Sequence, residues 1–273
     1  MPVLIIGATS DVGRSLAGLL RAEDAQVRAY VRQDDADLRS MGCKVAVGLY
    51  DDLGRMESAM EQVHTVVNLA AEEDPPFRLR DWSNQETTDV ALIAARSADV
   101  MRFLALSELH ASPTARDEYL RARGTSDDLV RSSGLQFAIL RCAPILGAHT
   151  PLGEALRRAR DARVATSLSP GSQRMNPIGA GDVARALLLA DSRGAAVNGE
   201  WDIGGNEGVS FDELVTRVTR AKRIQRRKSV PGIPRAIART WSRDRIADSR
   251  DFAEQFGWAP GSLDDAIKAS GLT

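Results

Sequence analysis

The stretch Val3-Leu4-Ile5-Ile6-Gly7-Ala8-Thr9-Ser10-Asp11-Val12-Gly13-Arg14 sets two glycines between an apolar run and an amphipathic one. Gly7 permits a sharp turn, and Gly13 lets a following helix lie close to the strand before it. The N-terminus of that helix offers backbone N–H groups and the positive end of its dipole. Such a loop suits a phosphate-bearing ligand, above all the pyrophosphate of a dinucleotide. Gly7, Thr9, Ser10, Asp11, Val12 and Gly13 are therefore the expected contact residues.

A second group refines the ligand. Dinucleotide domains selective for NAD place an acidic residue about 20 positions past the glycines, on the ribose hydroxyls. Here the apolar run Val27–Val31 ends at Arg32. A guanidinium matches a 2′-phosphate in charge and in bidentate geometry, which favours NADP(H) over NAD(H). Asp34 and Asp35 follow closely and bring the opposite charge.

Other reactive residue types are sparse. Cys43 and Cys142 lack the spacing of a disulfide framework or zinc site and read as small buried apolar side chains. His64, His110 and His149 form no metal-ligand pattern, and no metal is expected. His110 and His149 follow strand-like runs and are candidates for an alternative acid, whereas His64 reads as structural. Arg220–Arg245 carries ten basic residues and one acid, Asp244. It reads as a solvated face or as a site for an anionic or carrier-bound substrate.

These residues need a scaffold. Short apolar runs at Val3–Ile6, Val27–Val31, Lys44–Val47, Thr65–Leu69, Phe103–Leu106 and Phe137–Leu140 read as strands. Helical spacing fills the intervals, at Asp11–Arg21, Leu53–Met60, Asn84–Ser97 and Arg116–Ser132. The alternation predicts an α/β doubly wound parallel (Rossmann) sheet. Past Leu146, prolines and glycines punctuate the chain. We expect residues 1–148 to form the dinucleotide domain, with 176–205 returning to it through a helix at Asp182–Ala190 and a strand at Glu200–Ile203. Residues 149–175 and 206–273 are expected to form a small C-terminal substrate lobe over the carboxyl ends of the strands.

The chain has 273 residues, 43% hydrophobic and 27% charged, with a net charge of -1. That balance fits a globular enzyme and argues against nucleic acid or membrane as a partner. The N-terminal apolar run is too short for a signal peptide, so a cytoplasmic protein is expected.

The glycine spacing resembles the short-chain dehydrogenase/reductase superfamily, in its extended and atypical branch with the NmrA-like proteins. Further stretches fall in the order of that superfamily: Val66–Ala71, Asn84–Thr88, Ile139–Gly147, Asn176-Pro177-Ile178 with Asp182-Val183, and Phe256–Pro260. The resemblance covers nearly the whole chain. It implies that Leu69, Ala70 and Ala71 pass behind the cofactor ribose and that Pro144 and Ile145 border the nicotinamide. Ser10 stands where extended and atypical relatives carry glycine and Asp11 where compact ones do, so one glycine is missing on either reading. Leu49 replaces an aspartate on the adenine, with Asp51 or Asp52 as its substitute.

The resemblance also implies a proton-transfer site. The superfamily's Tyr-x-x-x-Lys corresponds to Tyr119-Leu120-Arg121-Ala122-Arg123. Tyr119 would exchange a proton with the substrate, and Arg123, in place of lysine, would hold charge and ribose beside it. Ser107, ahead of Glu108, stands near the superfamily's catalytic serine, and Glu108 is the alternative occupant of that position. Three readings stay open: an NADP(H)-dependent oxidoreductase acting on a small carbonyl, enone or alcohol; an NmrA-like, non-catalytic sensor or regulator; and an epimerase or dehydratase that retains its cofactor. Helices Asn84–Ser97 and Arg116–Ser132 would form the dimer face of relatives, on which Arg121, Asp127, Asp128 and Arg131 set charge. Monomer and homodimer both remain open.

Overall fold

A computed structural model describes residues 2–72, 84–192 and 198–273, and every expected site residue falls within them. The chain divides into two compact units, Met1–Arg141 with Ala184–Trp201, and Cys142–Val183 with Asp202–Thr273.

In the first unit, strands β1 (Val3–Ile6), β2 (Val27–Val31), β3 (Lys44–Val47), β4 (Thr65–Asn68), β5 (Arg102–Glu108) and β6 (Gln136–Cys142) alternate with helices α1 (Asp11–Ala22), α2 (Ala36–Ser40), α3 (Leu53–Met60), α4 (Asn84–Ser97) and α5 (Glu118–Arg131). The strands join one seven-stranded sheet, whose last member is supplied by Gly199–Ile203 next to β6; from there the order is β6-β5-β4-β1-β2-β3. β1 pairs in parallel with both β2 and β4, placing Ile6 beside Tyr30 and Asn68. The topology is the doubly wound α/β fold that the strand–helix alternation predicts.

The central strands are apolar along their length because both sheet faces are covered. Leu4, Ile6, Val66, Phe103 and Ile139 form one buried cluster with Met56, Met60, Leu92 and Val130 from the helices. β3, at the edge, is only partly buried, and Lys44 at its start discourages pairing with another chain. The short helix α2 was not evident in the sequence; Asp35 caps it and Leu38 is its one buried side chain.

The second unit is built from shorter pieces. It contains β7 (Ile145–Leu146), α6 (Pro151–Asp161), β8 (Ala165–Leu168), β9 (Arg174–Met175) and β10 (Ile178–Gly179), and the start of α7 (Ala180–Ser192). After β11 (Gly199–Ile203) come β12 (Val209–Ser210), α8 (Phe211–Val218), β13 (Ile224–Arg227), α9 (Arg235–Trp241), α10 (Arg250–Phe256) and α11 (Leu263–Ala269). Three two-stranded pairs, β7 with β10, β8 with β13 and β9 with β12, replace a continuous sheet. Asn176 ties the unit together: its amide donates to the Gly205 and Ala247 carbonyls and accepts from the Ala247 amide. Trp258 meets Phe252 edge-on at 5.4 Å. The family-like motifs Asn176-Pro177 and Gly257-Trp258 therefore hold internal structure.

Candidate functional site

The glycine loop is drawn tight against the neighbouring strand. Gly7 has φ +77°, and a Cβ there would come within 2.4 Å of the Leu69 carbonyl oxygen. A Cβ on Gly13 would lie 2.7 Å from the Ala8 Cα and the Gly7 oxygen. Both positions thus require glycine for backbone proximity. Ser10 caps α1: its hydroxyl donates to the Gly7 carbonyl at 2.8 Å and accepts from the Gly13 amide at 3.1 Å. The missing glycine is replaced by a hydroxyl that braces the loop from within. The positive end of α1 lies at its first turn, which begins with Asp11 and Val12. A loop with glycine at both close approaches, leading into a capped helix N-terminus, fits a dinucleotide pyrophosphate.

At the end of β2, the Arg32 guanidinium lies 5.8 Å from the centre of the Tyr50 ring. Leu49, the chain neighbour of Tyr50, is 60% exposed. Asp52 is committed to capping α3 through the Arg55 amide, whereas Asp51 lies exposed. The two carboxylates past Arg32 each hold another arginine: Asp34 accepts from Arg39 at 2.7 and 2.9 Å, and Asp35 binds Arg14 in a bidentate pair. Arg14 follows the last glycine directly, and the sequence reading passed over it.

The end of β5 carries the expected proton-transfer residues. α5 begins at its cap Asp117 and turns Tyr119, Arg123 and Asp127 toward β5. The Tyr119 hydroxyl donates to Glu108 Oε1 at 2.9 Å. Arg123 is 3% exposed, and one terminal nitrogen donates to the Leu106 carbonyl at 2.6 Å. Ser107 turns the other way and donates to Asp127 Oδ2 at 3.0 Å. Tyr119 is therefore paired with Glu108, and the Ser107 hydroxyl is engaged by a buried carboxylate. Asp127 is not on an outer helix face as the sequence suggested; it is 3% exposed, because its spacing from Tyr119 and Arg123 turns it inward. Burial pushes its carboxyl above the ordinary value, against the opposing pull of the Ser107 hydrogen bond and of Arg123, Arg141 and Arg131.

A small cavity joins several predicted residues. Asn68, Leu69, Ala71, Arg123, Ser126 and Asp127 line it. Ala70, between them, donates its amide to Asn68 Oδ1 at 3.2 Å. Leu69, Ala71 and Arg123 thus share one cavity. Pro144 and Ile145 belong to the second unit and are buried, with the Pro144 carbonyl accepting from the Ile178 amide.

The histidines separate in the structure. His64 Nδ1 lies 2.9 Å from the Thr65 hydroxyl, which donates in turn to Asp191. His110 is exposed with φ +62°, at the turn directly after β5. His149 is exposed in the loop before α6. Both cysteines are buried thiols. Among the described residues no group of three metal-ligating side chains occurs, and no helix is long and apolar enough to cross a membrane. The basic segment is dispersed: Arg226 pairs with Asp212, Arg245 is buried, and Arg220 and Lys222 line a groove with Arg160 and Arg163.

Comparison with known proteins agrees with this geometry. A family model described as NAD(P)H-binding matches residues 7–187, from the first loop glycine into α7. The chain belongs to this NAD(P)H-binding family. Its cofactor class is therefore a nicotinamide dinucleotide. Among curated relatives, the (4-alkanoyl-5-oxo-2,5-dihydrofuran-3-yl)methyl phosphate reductase of Streptomyces griseus is 26% identical over 221 residues, covering 80% of this chain and 73% of that protein. The mitochondrial NADH dehydrogenase [ubiquinone] 1 alpha subcomplex subunit 9 of Arabidopsis thaliana is 23% identical over 221 residues, 77% of this chain. The chain spans only 55% of that subunit's length. In fold, the dTDP-glucose 4,6-dehydratase of Streptomyces venezuelae matches with TM-score 0.79 at 18% identity, covering 100% of this chain and 95% of its own. The UDP-glucuronic acid 4-epimerase of Bacillus cereus matches with TM-score 0.79 at 17% identity, covering 99% and 98%. The NAD(P)H-binding chain thus shares its fold with these two structures.

Proposed function

We propose that this NAD(P)H-binding protein is an NADP(H)-dependent oxidoreductase of a small carbonyl, enone or alcohol. The observation that carries the cofactor preference is the charge arrangement past β2. Arg32 stands where an NAD-selective domain has its carboxylate, and Asp34 and Asp35 are each paired with another arginine. A 2′-phosphate would meet a guanidinium there, and ribose hydroxyls would find no uncommitted acid among these three residues.

The proton chemistry rests on Tyr119. Its hydroxyl donates to Glu108, so as Tyr119 takes a proton from a substrate alcohol its own proton can pass to the Glu108 carboxylate; reduction is the reverse, beginning with Glu108 protonated from solvent. The cofactor supplies or takes up the hydride. Arg123 keeps a positive charge behind the tyrosine and on the ribose side, in the role the resemblance gives to lysine. The Streptomyces relative is by its name a reductase of a phosphorylated oxo-dihydrofuran, which supports an unsaturated carbonyl as the substrate class.

A second reading is favoured by one observation. The Ser107 hydroxyl and the Arg123 guanidinium are both turned into the protein, which suits a cofactor-binding protein without redox turnover. Fluorescence titration with NADPH and NADH, followed by NADPH consumption against a panel of quinones, enones and aldehydes, separates the two. NADPH binding that Arg32→Ala loses, together with turnover that Tyr119→Phe abolishes, is expected. NADH binding equal to NADPH overturns the cofactor preference. Tight NADPH binding with no turnover on the whole panel favours the second reading.

A further inference from the structure

Arg14 and Asp35 form a pair that neither the fold nor the glycine loop requires. Arg14 is the residue after Gly13, in the first turn of α1. Its Nε donates to the Thr9 carbonyl at 3.2 Å, and its terminal nitrogens donate to both Asp35 oxygens, at 3.1 and 2.5 Å. The guanidinium therefore touches the glycine loop on one side and the segment following β2 on the other. In a doubly wound sheet these are the walls of the adenosine ribose subsite: pyrophosphate lies at the helix start, ribose at the end of the second strand.

The pair is not a core feature. The Arg14 side chain is 34% exposed and that of Asp35 15%, and α1 is anchored by the buried Val12, Leu16, Ala17 and Leu20. Asp37 approaches Arg14 to only 3.8 Å and is itself 86% exposed. The hydrogen bond from Arg14 holds the Asp35 carboxyl below its ordinary range, so Asp35 is ionised at neutral pH. Asp35 has a second task, accepting the Leu38 amide at 2.8 Å as the cap of α2. A guanidinium grips a carboxylate and a phosphate with the same two-pronged geometry.

Resting on the NADP(H) reading, we propose that Arg14 is a second cation for the 2′-phosphate and that Asp35 is its resident competitor. Binding of NADP(H) exchanges the Asp35 carboxylate for the phosphate on Arg14. NAD(H) brings only hydroxyls to that place and leaves the pair closed. Asp35 is thus a specificity-determining residue that holds the affinity for the phosphorylated cofactor below what Arg14 and Arg32 together could give.

Asp35→Asn tests this cleanly, because asparagine caps a helix as well as aspartate and removes only the charge. Fluorescence titrations with NADPH and NADH would be run on the wild type, Asp35→Asn, Arg14→Gln and the double variant. Asp35→Asn is expected to bind NADPH about tenfold tighter, with NADH changed by less than about twofold. Arg14→Gln is expected to weaken NADPH about tenfold and to spare NADH. In the double variant the gain from Asp35→Asn should vanish, since it acts through Arg14. An unchanged NADPH-to-NADH ratio in Asp35→Asn overturns the inference. So does a gain that survives in the double variant, because it would reflect net charge alone. A wild type that ignores the 2′-phosphate sinks the cofactor reading, yet an NADPH-selective gain in Asp35→Asn would still uphold the role of Asp35.

Discussion

Ser107→Ala separates the family resemblance from the geometry. If Ser107 acts on substrate, its removal slows turnover by the factor of about 10²–10⁴ usual for an acid–base group. Here its hydroxyl instead donates to Asp127, a carboxylate 3% exposed, with Arg141 Nε 3.5 Å away. Loss of a hydrogen bond to a buried charge costs about 1.5–3 kcal/mol. For a chain of this size that corresponds to a fall in melting temperature of roughly 3–5 °C. The pH dependence has a definite sign. Asp127 has a folded-state value above the ordinary carboxyl value of 3.8, so the folded protein holds more protons between the two values. Stability from this group therefore declines as pH rises through that window. Removing the Ser107 donor raises the folded value further, so the destabilisation is full at neutral pH and shrinks as Asp127 protonates. Calorimetry at neutral and mildly acidic pH, with NADPH oxidation by an activated dicarbonyl as the activity measure, gives both quantities. A Ser107→Ala protein as stable as wild type, but with turnover cut a hundredfold or more, would refute this assignment.

Other consequences are simpler to state. Tyr119→Phe should remove turnover by about 10²–10⁴ while leaving NADPH affinity near wild type, and Glu108→Gln should lower turnover with a shifted pH profile, both read by steady-state kinetics. Arg32→Ala should weaken NADPH by at least about 1.5 kcal/mol, the scale of a hydrogen bond to a charged group, with NADH little changed on titration. Gly13→Ala should destabilise and abolish dinucleotide binding, since its Cβ would overlap the Ala8 backbone at 2.7 Å. Gly18→Ala, in the same helix with only the Met41 side-chain end at 3.4 Å, should instead gain up to about 1 kcal/mol in thermal unfolding.

Much of the first unit was legible because its strands are continuous apolar runs, each followed by helical spacing. Val3–Ile6, Val27–Val31, Lys44–Val47 and Asn84–Ser97 have the same limits in the structure as in the sequence reading. β5 runs on to Glu108, past the Leu106 at which apolar character stops, since backbone pairing outlasts the hydrophobic pattern. The second unit was opaque for the opposite reason. Its strands at Ile145–Leu146, Arg174–Met175, Ile178–Gly179 and Val209–Ser210 are two residues long, too short to show any period. The basic run from Arg220 was read as one patch. β13 alternates its side chains between faces, and Arg226 is drawn to Asp212. Arg14 was missed because a charged residue in a first helical turn carries no periodic signal, and its partner lies 21 positions away.

The seam between β5 and α5 explains how one change at the candidate site draws in others. A lysine behind the tyrosine would reach out as a point charge, whereas Arg123 has a broad, planar head that must be satisfied at several nitrogens. The structure turns that head inward, with the Leu106 carbonyl accepting from one terminal nitrogen and Asp127, one helical turn on, as the nearby countercharge. Asp127 is costly in so buried a place unless it is bonded in turn, and Ser107 supplies that bond. Arg141, at 3.5 Å from Asp127, links the same carboxylate to Glu200, which also holds Arg131 from the far end of α5. Ser107, Arg123 and Asp127 therefore behave as one buried polar unit, and single substitutions within it should not be additive. The Tyr119–Glu108 pair is a further hydrogen bond across the same seam. In the proposed reaction this pair moves the proton while Ser107 acts on stability, so a double-mutant cycle between Tyr119→Phe and Ser107→Ala should show independent effects on turnover.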